Sequence, residues 1–289
     1  MEAQIIDGRK LAENFNKETQ GKIEVLKKSY GINPALAVII IGNNPASLIY
    51  VDNKVKKCNE LGIKSFKYHL SEFTTQKEVE ALIKEINNNP AINGLLIQLP
   101  LPSQINTQEI INLINPLKDV DGFTKENTFA LYNNTSNLIP CTPLGCIKLI
   151  QSVCHNLTGK KTVILGRSNI VGKPLSLLLL NHNASVTILH SKSENIEKEL
   201  KEADIIISAI GKPKFIKSEW LNKKAIIIDV GITRVNDKIV GDVDYESAKR
   251  NVSYITPVPG GVGPMTIAML MQNTVLATCK QNNIDFDKL

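Results

Sequence analysis

A tyrosine and a lysine four residues apart, Tyr50-x-x-x-Lys54, lie in a stretch whose apolar residues Leu48, Val51, Val55 and Cys58 recur at the spacing of one helix face. The pair falls one step round from that face, at the edge of the apolar stripe. Two readings of Lys54 stand. In one, its apolar border lowers the pKa and makes the amine a base or proton shuttle near neutral pH; in the other, the side chain snorkels to water. Gln98 is a primary amide near the carboxyl end of the apolar run Gly94-Leu95-Leu96-Ile97-Gln98-Leu99. A buried amide must be hydrogen-bonded, so it has a partner, and the plain reading is a structural bond to loop backbone. Asp121, in Lys118-Asp119-Val120-Asp121-Gly122, is either a turn former or a carboxylate held for a ligand.

A second group has a different chemistry. A strand-like run, Thr162-Val163-Ile164-Leu165, leads into Gly166-Arg167-Ser168-Asn169-Ile170-Val171-Gly172-Lys173-Pro174, then an apolar helical stretch, then the strand Val186-Thr187-Ile188-Leu189. This order is a βαβ unit, read either as an ordinary crossover with a glycine turn or as a dinucleotide site. In the second reading Gly166 and Gly172 let backbone approach a diphosphate, and the helix start supplies N–H groups and partial positive charge. The second strand ends in His190-Ser191-Lys192, where an NAD site usually carries an acidic residue. With Arg167 in the turn, that favours a ribose 2′-phosphate, hence NADP.

The elements that must position these residues alternate throughout. Helices are expected at about 8–29, 46–60, 76–88 and 107–114, with strands at 35–41, 63–69 and 95–99 between them. Further strands are expected at 162–165, 186–189, 204–209 and 225–229, and a last helix at 265–281. Strands separated by helices imply parallel sheets, and the continuous apolar runs 35–41 and 95–97 suit strands covered on both faces. Residues 115–143, rich in Asn, Pro, Thr and Gly and ending in Pro140-Cys141-Thr142-Pro143, read as the junction. The expectation is an α/β protein of two lobes with a cleft between them: 1–140 with the returning helix 265–289, and 141–264 as a Rossmann-like domain. At 289 residues each lobe can bury its own core. The net charge of +6 is spread over helix faces, which speaks against a nucleic-acid stripe. The longest purely apolar run, Leu177 to Leu180, is far too short to cross a bilayer. Five cysteines with no C-x-x-C pair suggest a reduced, cytoplasmic protein, and no metal site is expected.

Read together and in order, these motifs, with Pro257-Val258-Pro259-Gly260-Gly261-Val262-Gly263-Pro264-Met265-Thr266, closely resemble the bifunctional methylenetetrahydrofolate dehydrogenase/methenyltetrahydrofolate cyclohydrolase family over essentially the whole chain. The resemblance implies NADP-dependent oxidation of 5,10-methylenetetrahydrofolate to the methenyl compound, then hydrolysis to 10-formyltetrahydrofolate. It implies that Lys54 is the lysine of the hydrolytic step, that Tyr50 stacks on the folate, that Gln98 bonds and tunes the lysine, and that Asp121 binds the polar edge of the pterin. Leu99, Pro259, Gly260 and Gly261 are implied to line the substrate. Arg167 and Ser191 would contact the NADP 2′-phosphate and Ser168 the diphosphate region, with Gly166, Val171, Gly172 and His190 around them. Thr142, Ile232, Gly263 and Thr266 would wall the nicotinamide. The resemblance also implies a homodimer, and the two lobes leave no room for a formyltetrahydrofolate synthetase domain. Two competing readings are a shikimate-dehydrogenase-type enzyme, which leaves Gln98 and the Pro-Gly-Gly segment unexplained, and a binding protein that has lost activity, which the intact Lys54 and Arg167 oppose.

Overall fold

The computed structural model of the chain describes residues 2–135 and 138–289. In chain order the elements are β1 (Gln4–Ile5), α1 (Gly8–Tyr30), β2 (Ala35–Ile41), α2 (Pro45–Leu61), β3 (Lys64–Leu70), α3 (Gln76–Asn88), β4 (Gly94–Ile97), α4 (Thr107–Asn112), α5 (Lys125–Tyr132) and α6 (Cys141–Gln151). There follow β5 (Lys161–Leu165), α7 (Gly172–Asn181), β6 (Ser185–Leu189), α8 (Ile196–Lys201), β7 (Ile205–Ser208), β8 (Ile226–Asp229), β9 (Thr233–Val235), β10 (Lys238–Val240), α9 (Tyr245–Ala248), β11 (Tyr254–Ile255) and α10 (Val262–Gln281). Chain packing divides them into two compact units, one of residues through Glu13 with Thr142–Thr266, the other of Asn14–Cys141 with Ile267–Leu289.

The second of these units, here the lysine unit, is built on the parallel sheet β3-β2-β4. All seven residues of β2, Ala-Leu-Ala-Val-Ile-Ile-Ile, are buried, as a central strand covered on both faces requires. One face packs against Val79, Ile83 and Ile86 of α3 and Ile110 of α4. Each such buried isoleucine contributes roughly 1.5–3 kcal/mol. β3 has only exposed and half-buried positions and forms an edge. Beyond β4, Leu95 bridges Asp119 in parallel, so segment 118–121 extends the sheet.

The other unit, the glycine-turn unit, holds a six-stranded parallel sheet of order β1-β11-β8-β7-β5-β6. Its core strands β5, β7 and β8 are runs of Ile, Val and Leu buried with Leu189, Leu200 and Ile255. After β5 the chain steps to β6 on one side, then returns across β5 to β7 on the other. This reversal makes a crevice outside the carboxyl ends of β5 and β7, where such sheets bind ligands. β9 and β10 form a separate antiparallel hairpin.

Several expectations are corrected. The strand expected at 95–99 ends at Ile97: Gln98 N–H still donates to Ile39 O at 2.8 Å, but Pro100 has no N–H to continue the ladder. The junction 115–143 contains the helix α5, started by Thr124, whose hydroxyl accepts from Asn127 N–H, and α6 begins already at Cys141. Residues 1–13, expected with the first lobe, include β1, which pairs with β11 of the glycine-turn sheet. β1 and β11 have two residues each, and β9 and β10 three each, too short for any period to register.

Candidate active site

In the lysine unit, α2 starts cleanly after the β2 turn. Asn44 accepts from Ser47 N–H at 3.1 Å, Pro45 occupies the first turn, and Gly62 closes the helix in the left-handed region. Its buried face is Ser47, Val51, Lys54, Cys58 and Leu61, whereas Leu48 and Val55 are only half-buried. The helix is therefore turned slightly from the expected orientation, and Lys54 lies within the buried stripe, 7% exposed, instead of at its edge. This excludes the snorkelling alternative.

The Lys54 amine donates to Gln98 Oε1 at 3.0 Å and lies 5.4 Å from the centre of the half-buried Tyr50 ring. Gln98 Nε2 in turn donates to Leu99 O at 2.7 Å. That bond fixes the amide with its oxygen toward the amine, so Gln98 makes both the bond to loop backbone and the bond to the lysine that the resemblance implies. Burial pushes the Lys54 pKa down, opposed chiefly by the charge of Asp121. Burial pushes the Asp121 carboxyl up to about 6, with Asp119 adding to the rise and Lys54 opposing it. Cys58 and Cys141 also bear on Lys54, but burial pushes the Cys58 thiol up to about 12 and Cys141 well above its ordinary value, so both stay neutral. Burial thus loosens the hold of the Lys54 amine on its proton and tightens that of the Asp121 carboxyl.

Asp121 is held by its neighbours. Asp119, 1% exposed, accepts from Thr124 N–H at 2.8 Å and Asn127 Nδ2 at 2.9 Å, while its other oxygen is buried without a partner. Asn273 on α10 donates to Val120 O and Ile139 O, both at 2.8 Å. Sequence reasoning missed Asn273, Asp119 and Cys141 as supports. None of the three stands out by spacing: Asn273, for one, lies between Gln272 and Thr274 in α10.

In the glycine-turn unit, a Cβ on Gly166 would stand 2.5 Å from Ala209 O, and one on Gly172 would stand 2.1 Å from Gly166 O. Only glycine fits either place, and Gly166 has φ 116°. Ser168 Oγ accepts from Val171 N–H at 3.1 Å and from Gly172 N–H at 3.4 Å. The hydroxyl thereby caps the start of α7, a helix end whose partial positive charge suits an anion. The register Leu165 with Leu189 brings the ends of β5 and β6 side by side. Arg167 and Ser191 project from these neighbouring ends, both exposed. His190 shapes the second end: its N–H donates to Ser193 Oγ at 3.0 Å and its Nδ1 accepts from Lys192 N–H at 3.2 Å.

The remaining expected residues also fall in this unit. Thr142 and Thr266 meet hydroxyl to hydroxyl at 3.0 Å where α6 and α10 begin. Gly260 and Gly261 are buried against Gly8 and Arg9, and Gly263 is half-buried just inside α10. Pro259 and Ile232 are exposed. Tyr50, Lys54, Gln98, Leu99 and Asp121 thus form one group in the lysine unit, and the other expected residues belong to the glycine-turn unit.

The family model of the tetrahydrofolate dehydrogenase/cyclohydrolase catalytic domain matches residues 6–121, and that of the NAD(P)-binding domain of the same family matches residues 140–282. A bifunctional protein FolD of a Wolbachia strain from Drosophila simulans is 50% identical over 283 residues, covering 97% of each chain. The crystal structure of the bifunctional FolD methylenetetrahydrofolate dehydrogenase/cyclohydrolase from Campylobacter jejuni superposes with a TM-score of 0.94 at 45% identity, over 96% of this chain and 99% of that one. The Trypanosoma brucei enzyme, solved with NADP and an inhibitor, gives a TM-score of 0.95 at 35% identity, over 98% of this chain and 99% of that one.

Proposed function

Because the chain belongs to the tetrahydrofolate dehydrogenase/cyclohydrolase family, we propose that it oxidises 5,10-methylenetetrahydrofolate with NADP⁺ and hydrolyses the resulting methenyl cation to 10-formyltetrahydrofolate, with Lys54 as the proton-transfer group of the second step. The observation that carries the residue assignment is the buried Lys54 amine bonded to an amide of fixed orientation.

The turn from Gly166 to Gly172 fits a dinucleotide, since its backbone closes too tightly for a Cβ at either glycine and leaves main chain and the start of α7 to meet a diphosphate. Bound NADP⁺ supplies the hydride acceptor. Arg167 and Ser191 are assigned to the 2′-phosphate and Ser168 to the diphosphate, which sets the preference for NADP⁺ over NAD⁺. For the oxidation, the protein's share is to orient and to exclude water. Tyr50 offers a ring face to the folate, and Asp121 accepts from the N–H donors of the pterin edge.

Hydrolysis needs a proton acceptor. A neutral Lys54 donates one N–H to Gln98 Oε1, which turns its lone pair away from the amide and toward a water attacking the cationic one-carbon bridge. The ammonium so formed, still held by Gln98, is the donor for the ring nitrogen that leaves as the bridge opens. A positive substrate further favours the neutral amine.

Purified protein given 5,10-methylenetetrahydrofolate and NADP⁺ will accumulate reduced nicotinamide, with slower reduction by NAD⁺, and will accelerate the loss of added methenyl compound. Reduction without accelerated hydrolysis, or neither, would contradict the reading. Asp121 gives a second expectation. Its carboxyl is pushed up to about 6, so kcat/KM for the folate falls as pH drops through about 6, because protonation removes the acceptor for the pterin. Asp121→Asn should abolish that acid limb and raise KM; a limb unchanged in Asp121→Asn would assign it elsewhere. We further propose that the protein works as a homodimer in the cytoplasm. The family resemblance supports the first; the free state of all five cysteines suits the second.

A further inference from the structure

Two buried carboxylates in the glycine-turn unit take no part in this chemistry. Asp229 ends β8 and Asp242 lies two residues past β10; they are 3% and 0% exposed. Among the described residues neither has a cationic partner; both are held by donors from the loops around them. Asp242 accepts from Ser208 Oγ at 2.9 Å and from three backbone N–H groups, Ile210 at 2.8 Å, Gly211 at 3.3 Å and Lys212 at 2.8 Å. Asp229 accepts from the N–H groups of Gly231 and Asp242, both at 3.0 Å, and of Val243 at 2.9 Å. The two are interlocked: a Cβ on Gly231 would stand 2.2 Å from Asp242 Cγ. Ser208 and Asp229 are register partners at the carboxyl ends of β7 and β8. The clasp therefore ties the loop after β7 to the loop after β8, the loop that carries Ile232.

The sheet order says what lies over those loops. With the 2′-phosphate end at β6 and the diphosphate at β5 and α7, a dinucleotide crossing the order β6-β5-β7-β8 carries its other end over β7 and β8. We propose that Asp229 and Asp242 are positioning residues for the nicotinamide half of NADP, holding loops 209–212 and 230–232 as one rigid lip. The proposal rests on the NADP reading above. It also explains why acids occupy these places. Every hydrogen-bond partner of the Asp242 carboxyl is a donor, so an Asn there must set its own NH₂ against a backbone N–H.

The test compares Asp242→Asn and the milder Ser208→Ala with the wild type, by calorimetry with NADP⁺ and with adenosine 2′,5′-bisphosphate, which lacks the nicotinamide half. Asp242→Asn should weaken NADP⁺ binding about tenfold and lower kcat of hydride transfer as well, since small displacements of a reacting group are costly. Affinity for the bisphosphate and hydrolysis of the methenyl compound should stay at wild-type values, and Ser208→Ala should move the same quantities less far. If Asp242→Asn loses every activity by unfolding, Ser208→Ala decides. Wild-type NADP⁺ binding and kcat in Ser208→Ala and any folded Asp242→Asn, or equal loss of the bisphosphate, would overturn the proposal. A wild-type protein that binds the bisphosphate but not NADP⁺ would overturn it together with the NADP reading; one whose variants alone behave as wild type would overturn only the clasp.

Discussion

Lys54→Met removes most of the hydrolytic activity and leaves the dehydrogenase. Proton transfer by a positioned side chain contributes typically 10²–10⁴-fold, so kcat for hydrolysis of the methenyl compound should fall by about that factor. Hydride transfer draws no proton from Lys54, and its kcat should stay within about tenfold of wild type, the residual change reflecting lost contact with the folate. The fold should survive, because Met matches the length of the lysine stem and spares the cost of burying an amine. Gln98 Oε1 loses its donor, and that group is only half-buried. A stability change of no more than about 1 kcal/mol is expected, measurable by urea titration. Equal loss of both activities would make Lys54 a binding residue and leave hydrolysis without its base.

Gly172→Ala acts at the other unit. The new Cβ would stand 2.1 Å from Gly166 O, 2.7 Å from Gly166 C and 3.0 Å from Arg167 Cα, all backbone atoms that no side-chain rotation can clear. Either the glycine turn or the start of α7 must move, and with them Ser168 and Arg167. We expect NADP⁺ affinity to fall by about 10²-fold, the loss of roughly one hydrogen bond to a charged phosphate, with about 1–3 kcal/mol of stability lost to overpacking. Hydrolysis of the methenyl compound, which relies on Lys54 and Gln98, should remain. Retained NADP⁺ affinity would mean that the diphosphate lies elsewhere.

Much of this was legible in the residues. The buried runs of β2 and β4, the turn from Gly166 to Gly172 and the helical spacing of α2 each gave a signal strong enough to place an element. The chemistry at Lys54 was harder. Periodicity set it at the border of the stripe, and only the packed orientation of α2, with Ser47 and Lys54 inward and Leu48 and Val55 at the margin, made it a buried amine. An apolar count treats lysine as outside by default, so a lysine within the stripe reads as noise. Gln98 stood out because an amide interrupts an apolar run. Asn273, Asp119, Asp229 and Asp242 did not, since each works by accepting or donating across loops far apart in sequence, for which no spacing exists. β1 and β11 escaped notice for a similar reason: two residues pair only because distant segments align them.

The central claim is that Lys54 acts as a neutral amine, and the pH dependence of kcat/KM for hydrolysis of the methenyl compound, corrected for uncatalysed opening, tests it most directly. Burial lowers the Lys54 pKa from its ordinary 10.5, so the rate should rise with pH along a limb whose midpoint lies clearly below that value. Lys54→Met should lose that limb and keep only the one near pH 6 assigned to Asp121. A rate that climbs without inflection to the ordinary lysine range, or a pH profile in Lys54→Met identical to that of the wild type, would contradict the account.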